Sequence, residues 1–194
     1  MEVILQTEKS SLITHTIPND ILELVKECVE TCDSELIVNP KILVYGKTCI
    51  QHRSVGFYSD NSIGYKYNNK LNKSKPLHNC LIQLLEYVNT KFNYDYNGIL
   101  INKYLNGEEY ISKHSDDEAG LEHTVGVISI SYGAVRKFRI RNKLTKKIEV
   151  DLPTDPTKII QMAGDFQKEF THEIPVEKKV NRVRYSLTFR KHII

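Results

Sequence analysis

From Gly98 to the end of the chain, short runs rich in β-branched and aromatic residues alternate with turn residues at nearly even intervals. This rhythm constrains the fold more than any other feature. The runs are Ile99 to Leu105, Val125 to Tyr132, Val135 to Arg141, Lys147 to Leu152, Lys158 to Met162 and Arg182 to Arg190. Strands so short and so evenly spaced predict a β-sandwich or jelly roll, which leaves an outer sheet face in need of cover. Two amphipathic segments upstream can supply it. The first opens at Thr16-Ile17-Pro18-Asn19-Asp20, aligns Ile21, Leu22, Leu24, Val25, Cys28 and Val29 on one stripe, and ends near Cys32. The second runs from about Pro76 to Lys91, with Leu77, Leu81, Leu84, Leu85 and Val88 recurring at helical steps, and is expected to lie flat on a sheet. Between them, β-like runs at Lys41 to Tyr45 and Gly64 to Tyr67 stand in a stretch of Tyr, Gly, Asn and Lys that reads as loop and hairpin. The expected class is α+β, mostly β, in a single domain over residues 1–194: helices and hairpins in 1–96, the jelly roll in 97–194.

A chain of 194 residues with 40% hydrophobic and 26% charged residues can bury a core of ordinary size, which excludes disorder as the main state. No apolar run reaches the ~18 residues a membrane span requires. Met1 to Ser10 lack the basic start and apolar centre of a secretion signal, so the sequence predicts a protein inside a cell, in nucleus or cytoplasm. The four cysteines form neither a CxxC pair nor a zinc knuckle and are expected as reduced thiols. A formal charge of +3 permits a polyanionic partner without demanding one.

The chemistry concentrates in Lys113-His114-Ser115-Asp116-Asp117-Glu118. In extended backbone His114 and Asp116 point the same way and can face one ion, although such a triplet by itself equally describes a solvated loop. His172, in Phe170-Thr171-His172-Glu173-Ile174-Pro175, stands where a later strand of a jelly roll could return beside them. Two imidazoles and one carboxylate with open positions suit non-haem Fe(II) rather than a closed zinc site. His15, His52, His78, His123 and His192 are expected to be solvated rather than ligating. In the terminal run Arg184, Ser186, Thr188 and Arg190 share one face, Val183, Tyr185, Leu187 and Phe189 the other. Two inward guanidinium groups would call for a dicarboxylate; the alternative is an exposed basic edge strand. Asn102 and Tyr104 show the same two-residue step, either toward that ligand or as ordinary sheet surface.

Taken together, Asn102-Lys103-Tyr104, His114 to Glu118, Ser129 to Gly133, Met162 to Gln167, His172 to Pro175 and Arg184 to Arg190 resemble the AlkB family of Fe(II)- and 2-oxoglutarate-dependent nucleic-acid dealkylases, across most of residues 18 to 192. The resemblance implies a double-stranded β-helix preceded by a nucleotide-recognition region. It implies that His114, Asp116 and His172 bind iron. It also places Arg190 and Asn102 on the oxo-acid end of 2-oxoglutarate and Arg184 with Tyr104 on the distal carboxylate, beside Ser186, while the sequence leaves the two ends interchangeable. Ser186 and Phe170 stand where relatives often carry Asn and Trp. Upstream, Val44-Tyr45-Gly46-Lys47, Arg53, Tyr58, Asp60, Tyr65 and Tyr67 resemble the subgroup acting on double-stranded DNA, with His52 in place of a proline. The implied function is oxidative demethylation of N1-methyladenine and N3-methylcytosine by a monomer using Fe(II), 2-oxoglutarate and O2. Tyr45 would be a wedge, Lys47 and Arg53 phosphate contacts, Tyr65 and Tyr67 stacking partners for the cationic base, and Asp117 and Glu118 negative charge at its edge. The alternatives are the same chemistry on RNA or single strands, and an oxygenase acting on protein or a small molecule.

Overall fold

The computed structural model describes residues 1–44, 47–62, 64–67, 70–118, 120–122 and 124–193; within these, the side chains of 43, 44, 65–67 and 70–72 are not described. The chain begins with β1 (Glu2–Gln6), β2 (Ser10–Thr16) and helix α1 (Asn19–Cys32), then β3 (Lys41–Val44), β4 (Lys47–Ile50), β5 (Ser54–Tyr58), β6 (Gly64–Tyr67), β7 (Lys70–Lys73) and helix α2 (Asn79–Phe92). It continues through β8 (Gly98–Tyr104), β9 (Ile111–His114), β10 (Val127–Gly133), β11 (Lys137–Asn142), β12 (Ile148–Pro153), β13 (Lys158–Gly164), the single turn α3 (Phe166–Glu169), β14 (Phe170–Ile174) and β15 (Arg184–Arg190). Among the described residues a seven-stranded sheet, β1-β2-β13-β10-β15-β8-β5, faces a four-stranded one, β12-β11-β14-β9, while β3-β4 and β6-β7 are separate hairpins.

Alternation decides which side each strand residue serves. Ile99 and Ile101 of β8, Ile128 and Ile130 of β10, Ile159 of β13 and Leu187 and Phe189 of β15 meet Val25, Cys28, Val29 and Cys32 of α1 and Leu81, Leu84 and Val88 of α2 in one buried cluster. The helices thus cover the outer face of the large sheet, as their periodicity requires. Each such side chain contributes about 1.5–3 kcal/mol by leaving water. Truncating Leu84, at 0% exposure, would cost about 2–5 kcal/mol. The α2 helix stops at Asn93, which takes the left-handed conformation (φ 52°) that asparagine tolerates. A second cluster, including Leu12, Tyr104, Ile111, Phe138, Ile140, Phe166, Phe170 and Ile174, fills the space between the sheets.

The first 96 residues do more than cover the jelly roll. β2 runs antiparallel to β13 from Ser10 to Thr16, and β5 pairs with β8 from Ser54 to Tyr58, so both are strands of the large sheet itself. The terminal run is not an edge: β15 lies between β10 and β8 and is buried throughout. His192, expected in solvent, is 4% exposed and lies against Phe57 at 4.7 Å between ring centroids. Its backbone is clasped on both sides by the Asn97 carboxamide, which accepts from the His192 N–H (2.7 Å) and donates to its carbonyl (2.8 Å). That clasp draws the chain end under the sheet. Cys28, Cys32 and Cys80 are buried, Cys49 is exposed, and all are free thiols.

Candidate metal centre and cosubstrate cavity

β9 and β14 are antiparallel neighbours with His114 directly opposite His172, which brings two imidazoles from distant parts of the chain side by side, 4.3 Å between ring centroids. Asp116 lies beyond the end of β9, so a turn rather than strand alternation presents it. The Ser115 hydroxyl donates to the Phe170 carbonyl (2.9 Å) and the Asp116 N–H donates to Gln167 Oε1 (2.9 Å), fixing that turn on α3 and β14. Asp116 Oδ1 stands 3.7 Å from His114 Nε2 and Oδ2 stands 3.8 Å from His172 Nε2. Among the described residues, these three form the group whose ligand atoms all lie within 4.8 Å of one another.

The protonation states suit a metal. His114 Nδ1 lies 2.8 Å from the Ser112 carbonyl, which can only accept, so that nitrogen carries the proton and the Nε2 lone pair faces Asp116. Burial, then the neighbouring His172, pushes the His114 pKa down to about 3 against the pull of Asp116; burial, then Arg190, lowers His172 equally, to about 3. Both imidazoles are neutral at physiological pH, the form that ligates. His172 Nδ1 is buried and hydrogen-bonds to no described residue.

A cavity runs from the triad between the two sheets. The register of the large sheet lines it: Tyr104 opposite Arg184 and Asn102 opposite Ser186 across β8 and β15, and Ser129 on β10 opposite Thr188, while Arg190 stands opposite Gly98. A side chain at Gly98 would strike His192 and Phe57 within 3 Å. Arg190 sits at the triad end, its Nη2 donating to Asp116 Oδ1 at 2.5 Å and its Nη1 3.8 Å from Glu118. Arg184 sits at the other end. Its Nη2 donates to Ser131 Oγ (2.8 Å), its Nε to Thr154 Oγ1 (3.2 Å), and its guanidinium stacks 5.2 Å over the Tyr104 ring. Burial pulls the Arg184 pKa down to about 10, and its Nη1 hydrogen-bonds to no described residue. A buried, incompletely bonded guanidinium favours a carboxylate partner. The donor set at the triad fits ferrous iron, and this cavity fits an anion stretched away from it.

The remaining expected residues separate into three groups. Asp117 and Glu118 line an open cleft that shares Arg53, Ile111 and His114 with the buried cavity. The Asp117 carboxylate is largely exposed and 3.4 Å from Lys143, and Lys47 is exposed on β4. Arg53, expected at a phosphate, is 5% exposed, donates its Nε–H to Asn102 Oδ1 (2.8 Å) and lines both the buried cavity and the open cleft. Tyr45 and His123 lie outside the described residues, as do the side chains of Tyr65 and Tyr67; the strand register pairs Tyr65 with Asn72 and Tyr67 with Lys70. His52, at the position where the family pattern has proline, stacks on Tyr110 at 4.8 Å and accepts the Tyr110 N–H at its carbonyl (3.1 Å), which anchors the approach to β5 by other means.

Sequence reasoning passed over Arg136, Thr154 and Ser131. Arg136, fully buried, lies 5.9 Å from the Tyr104 ring centroid, and no periodicity marks it. Ser131 had a signal, since it lies in step with Ser129 on a strand of otherwise apolar residues.

Antiparallel sheets enclosing two histidines, one aspartate and buried arginines have the make-up of a jelly-roll oxygenase of the Fe(II)- and 2-oxoglutarate-dependent class. Residues 11–190 match the 2OG-Fe(II) oxygenase superfamily, and the chain belongs to it. Within it, the chain is 29% identical over 161 residues to the human DNA oxidative demethylase ALKBH2, covering 79% of this chain and 62% of that protein. It is also 29% identical over 149 residues to the bovine alpha-ketoglutarate-dependent dioxygenase alkB homolog 3, covering 72% and 51%. The chain therefore spans less than two thirds of these relatives. Two solved structures share the fold at 13% identity and 96% coverage of this chain: OsALKBH1, with a TM-score of 0.62 over its whole length, and a Pseudomonas putida prolyl-4-hydroxylase, with 0.59 over 94%. No helix is long and apolar enough to cross a membrane among the described residues.

Proposed function

We propose that this chain oxidatively removes methyl groups from N1-methyladenine and N3-methylcytosine in DNA, acting as a monomer inside the cell. The observation that carries the reading is His114, which belongs to the wall between the buried cationic cavity and the open cleft that holds Asp117 and Glu118. A cosubstrate can thus reach the metal triad from one side and a base from the other. When bound by His114, Asp116 and His172, Fe(II) with 2-oxoglutarate and O2 supplies oxidation of the N-methyl group, yielding succinate, carbon dioxide and a hydroxymethyl base that sheds formaldehyde.

The protein's part is placement. Arg190 stands beside the ligating Asp116, so with Asn102 it takes the oxo-acid end of 2-oxoglutarate; Arg184, anchored by Ser131 and Thr154 and stacked on Tyr104, takes the distal carboxylate, with Ser186 between. A methylated base must leave the duplex to reach His114, and methylation at a pairing nitrogen lowers the cost of extrusion. Tyr65 and Tyr67 stack on the cationic base for about 0.5–2 kcal/mol, Asp117 and Glu118 add negative charge from the cleft wall, Tyr45 fills the vacated stack, and Lys47 meets a phosphate.

Iron-loaded protein with 2-oxoglutarate should release formaldehyde from an N1-methyladenine duplex; no turnover on any methylated DNA or RNA would refute the proposal. Tyr45→Ala should impair duplex repair far more than repair of single strands. Equal loss on both would count against Tyr45 as the wedge.

A further inference from the structure

Arg53 precedes β5, and sheet order places two strands between it and β10, yet its guanidinium reaches the cavity that β15 lines. Its Nε–H donates to Asn102 Oδ1 at 2.8 Å, with both side chains buried. Because a guanidinium only donates, the Asn102 atom facing it must be the carbonyl oxygen, which settles the orientation of the carboxamide. The amino group of Asn102 is then turned away from Arg53, on a side chain that lies directly opposite Ser186 and lines the cavity. An asparagine left to itself could present either end, and its oxygen would repel a carboxylate.

We propose that Arg53 is a positioning residue for the cosubstrate: it locks Asn102 with its amide donor toward the oxo-acid end of 2-oxoglutarate. The inference rests on the reading that 2-oxoglutarate occupies this cavity and is independent of which nucleic acid is the substrate. Arg53 acts through Asn102, and its position on the wall shared with the open cleft places that lock beside the route of the base.

The test measures 2-oxoglutarate affinity by calorimetry on Mn(II)-loaded protein, for the wild type, Arg53→Met, Asn102→Ala and the double variant. In parallel, binding of an unmodified DNA duplex is followed between about 50 and 200 mM salt. Arg53→Met should weaken 2-oxoglutarate about tenfold, the scale of one charge-assisted hydrogen bond. Adding it to Asn102→Ala should cost nothing further, since the two act as one unit. The slope of log affinity against log salt should be unchanged, whereas loss of a phosphate contact would reduce it by about 1. Independent, additive losses in the double variant, or unaltered 2-oxoglutarate affinity with a reduced salt slope, would overturn the proposal. If Arg53→Met does not fold by thermal melting, Arg53→Lys carries the test: one donor can still reach Oδ1, and the loss should shrink to about threefold. A wild type that fails to bind 2-oxoglutarate would instead remove the cavity reading itself.

Discussion

Replacing Arg136 by Met should destabilise the protein by about 3–5 kcal/mol, the range for stripping one partner from a buried charged network. Arg136 is 1% exposed and spends its donors on four acceptors: Glu177 Oε2 (3.1 Å) and the carbonyls of Asn106 (2.9 Å), Glu109 (2.9 Å) and Pro175 (2.7 Å). Methionine fills most of the space and donates nothing. Each carbonyl left unpaired costs about 1–3 kcal/mol where water cannot replace the donor. Glu177 keeps the Lys137 N–H (2.8 Å), and Gly107 still exchanges backbone hydrogen bonds with Val180 and Glu177, so the two loops remain stitched to each other. The loss is therefore that of the loop pair from the sheet, and the lower part of the range applies. At roughly 2–4 °C per kcal/mol for a chain of this size, a fall of about 10 °C in Tm is expected. Arg136→Lys should recover less than half, because an ammonium cannot span acceptors set out for a planar fork. Urea unfolding of the metal-free protein reads the effect. A destabilisation under 1 kcal/mol would show that water satisfies these carbonyls and that the buried arginine is dispensable.

His192, held near pH 4 by burial and then by Arg190, sets an acid sensitivity. Its folded pKa lies below the ordinary 6.5, so as pH falls below about 6.5 the unfolded chain takes up a proton that the folded chain refuses, and stability drops. Between pH 7 and 5.5 this amounts to about 1.2 kcal/mol, and the unfolding free energy of the wild type from urea melts should fall by that much more than that of His192→Gln. An equal fall in both would disprove the assignment. Ser131→Ala removes the acceptor of Arg184 Nη2 and should weaken 2-oxoglutarate about three- to tenfold while leaving duplex affinity unchanged, as read by calorimetry and fluorescence anisotropy.

What the sequence discloses and what it hides follow from the range of the forces involved. Leu81, Leu84, Leu85 and Val88 reveal α2 because helical packing writes its period into neighbouring residues, although Leu77 falls just before the helix begins. Arg184, Ser186, Thr188 and Arg190 reveal the lined face of β15 because strand alternation does the same. β1 and β2 escape notice: β2 is placed by pairing with β13, more than 140 residues away in sequence, β1 then pairs with β2, and a run such as Ser10 to Thr16 carries only Leu12 and Ile13 as apolar signal. Arg53 and Arg136 are hidden for a related reason. A lone arginine looks solvent-facing in a sequence, and only its acceptors, contributed by segments far along the chain, make burial tolerable. His192 likewise depends on Asn97 across the sheet. The metal triad lies between these cases, since His114 and Asp116 are local whereas His172 joins them only through the β9–β14 register.

The same logic bears on Asp116, the obvious residue to remove for an inactive control. Its carboxylate is buried, 2.5 Å from an equally buried Arg190 Nη2, with Glu118 at 3.8 Å from Nη1 as a weaker counter-charge. Asp116→Ala deletes a metal ligand and also the close counter-ion of a cation that cannot lose its proton. The metal-free variant should be less stable than the metal-free wild type by about 3 kcal/mol, the lower end for breaking a buried pair because Glu118 remains. An anion entering beside Arg190 would replace the missing charge, so millimolar 2-oxoglutarate should raise the Tm of Asp116→Ala by more than it raises that of the metal-free wild type. Equal shifts in the two proteins would mean that Arg190 does not face the bound anion. Asp116→Asn, which keeps an acceptor for Arg190, should lose metal with a smaller stability change, making it the variant in which metal binding and folding can be separated.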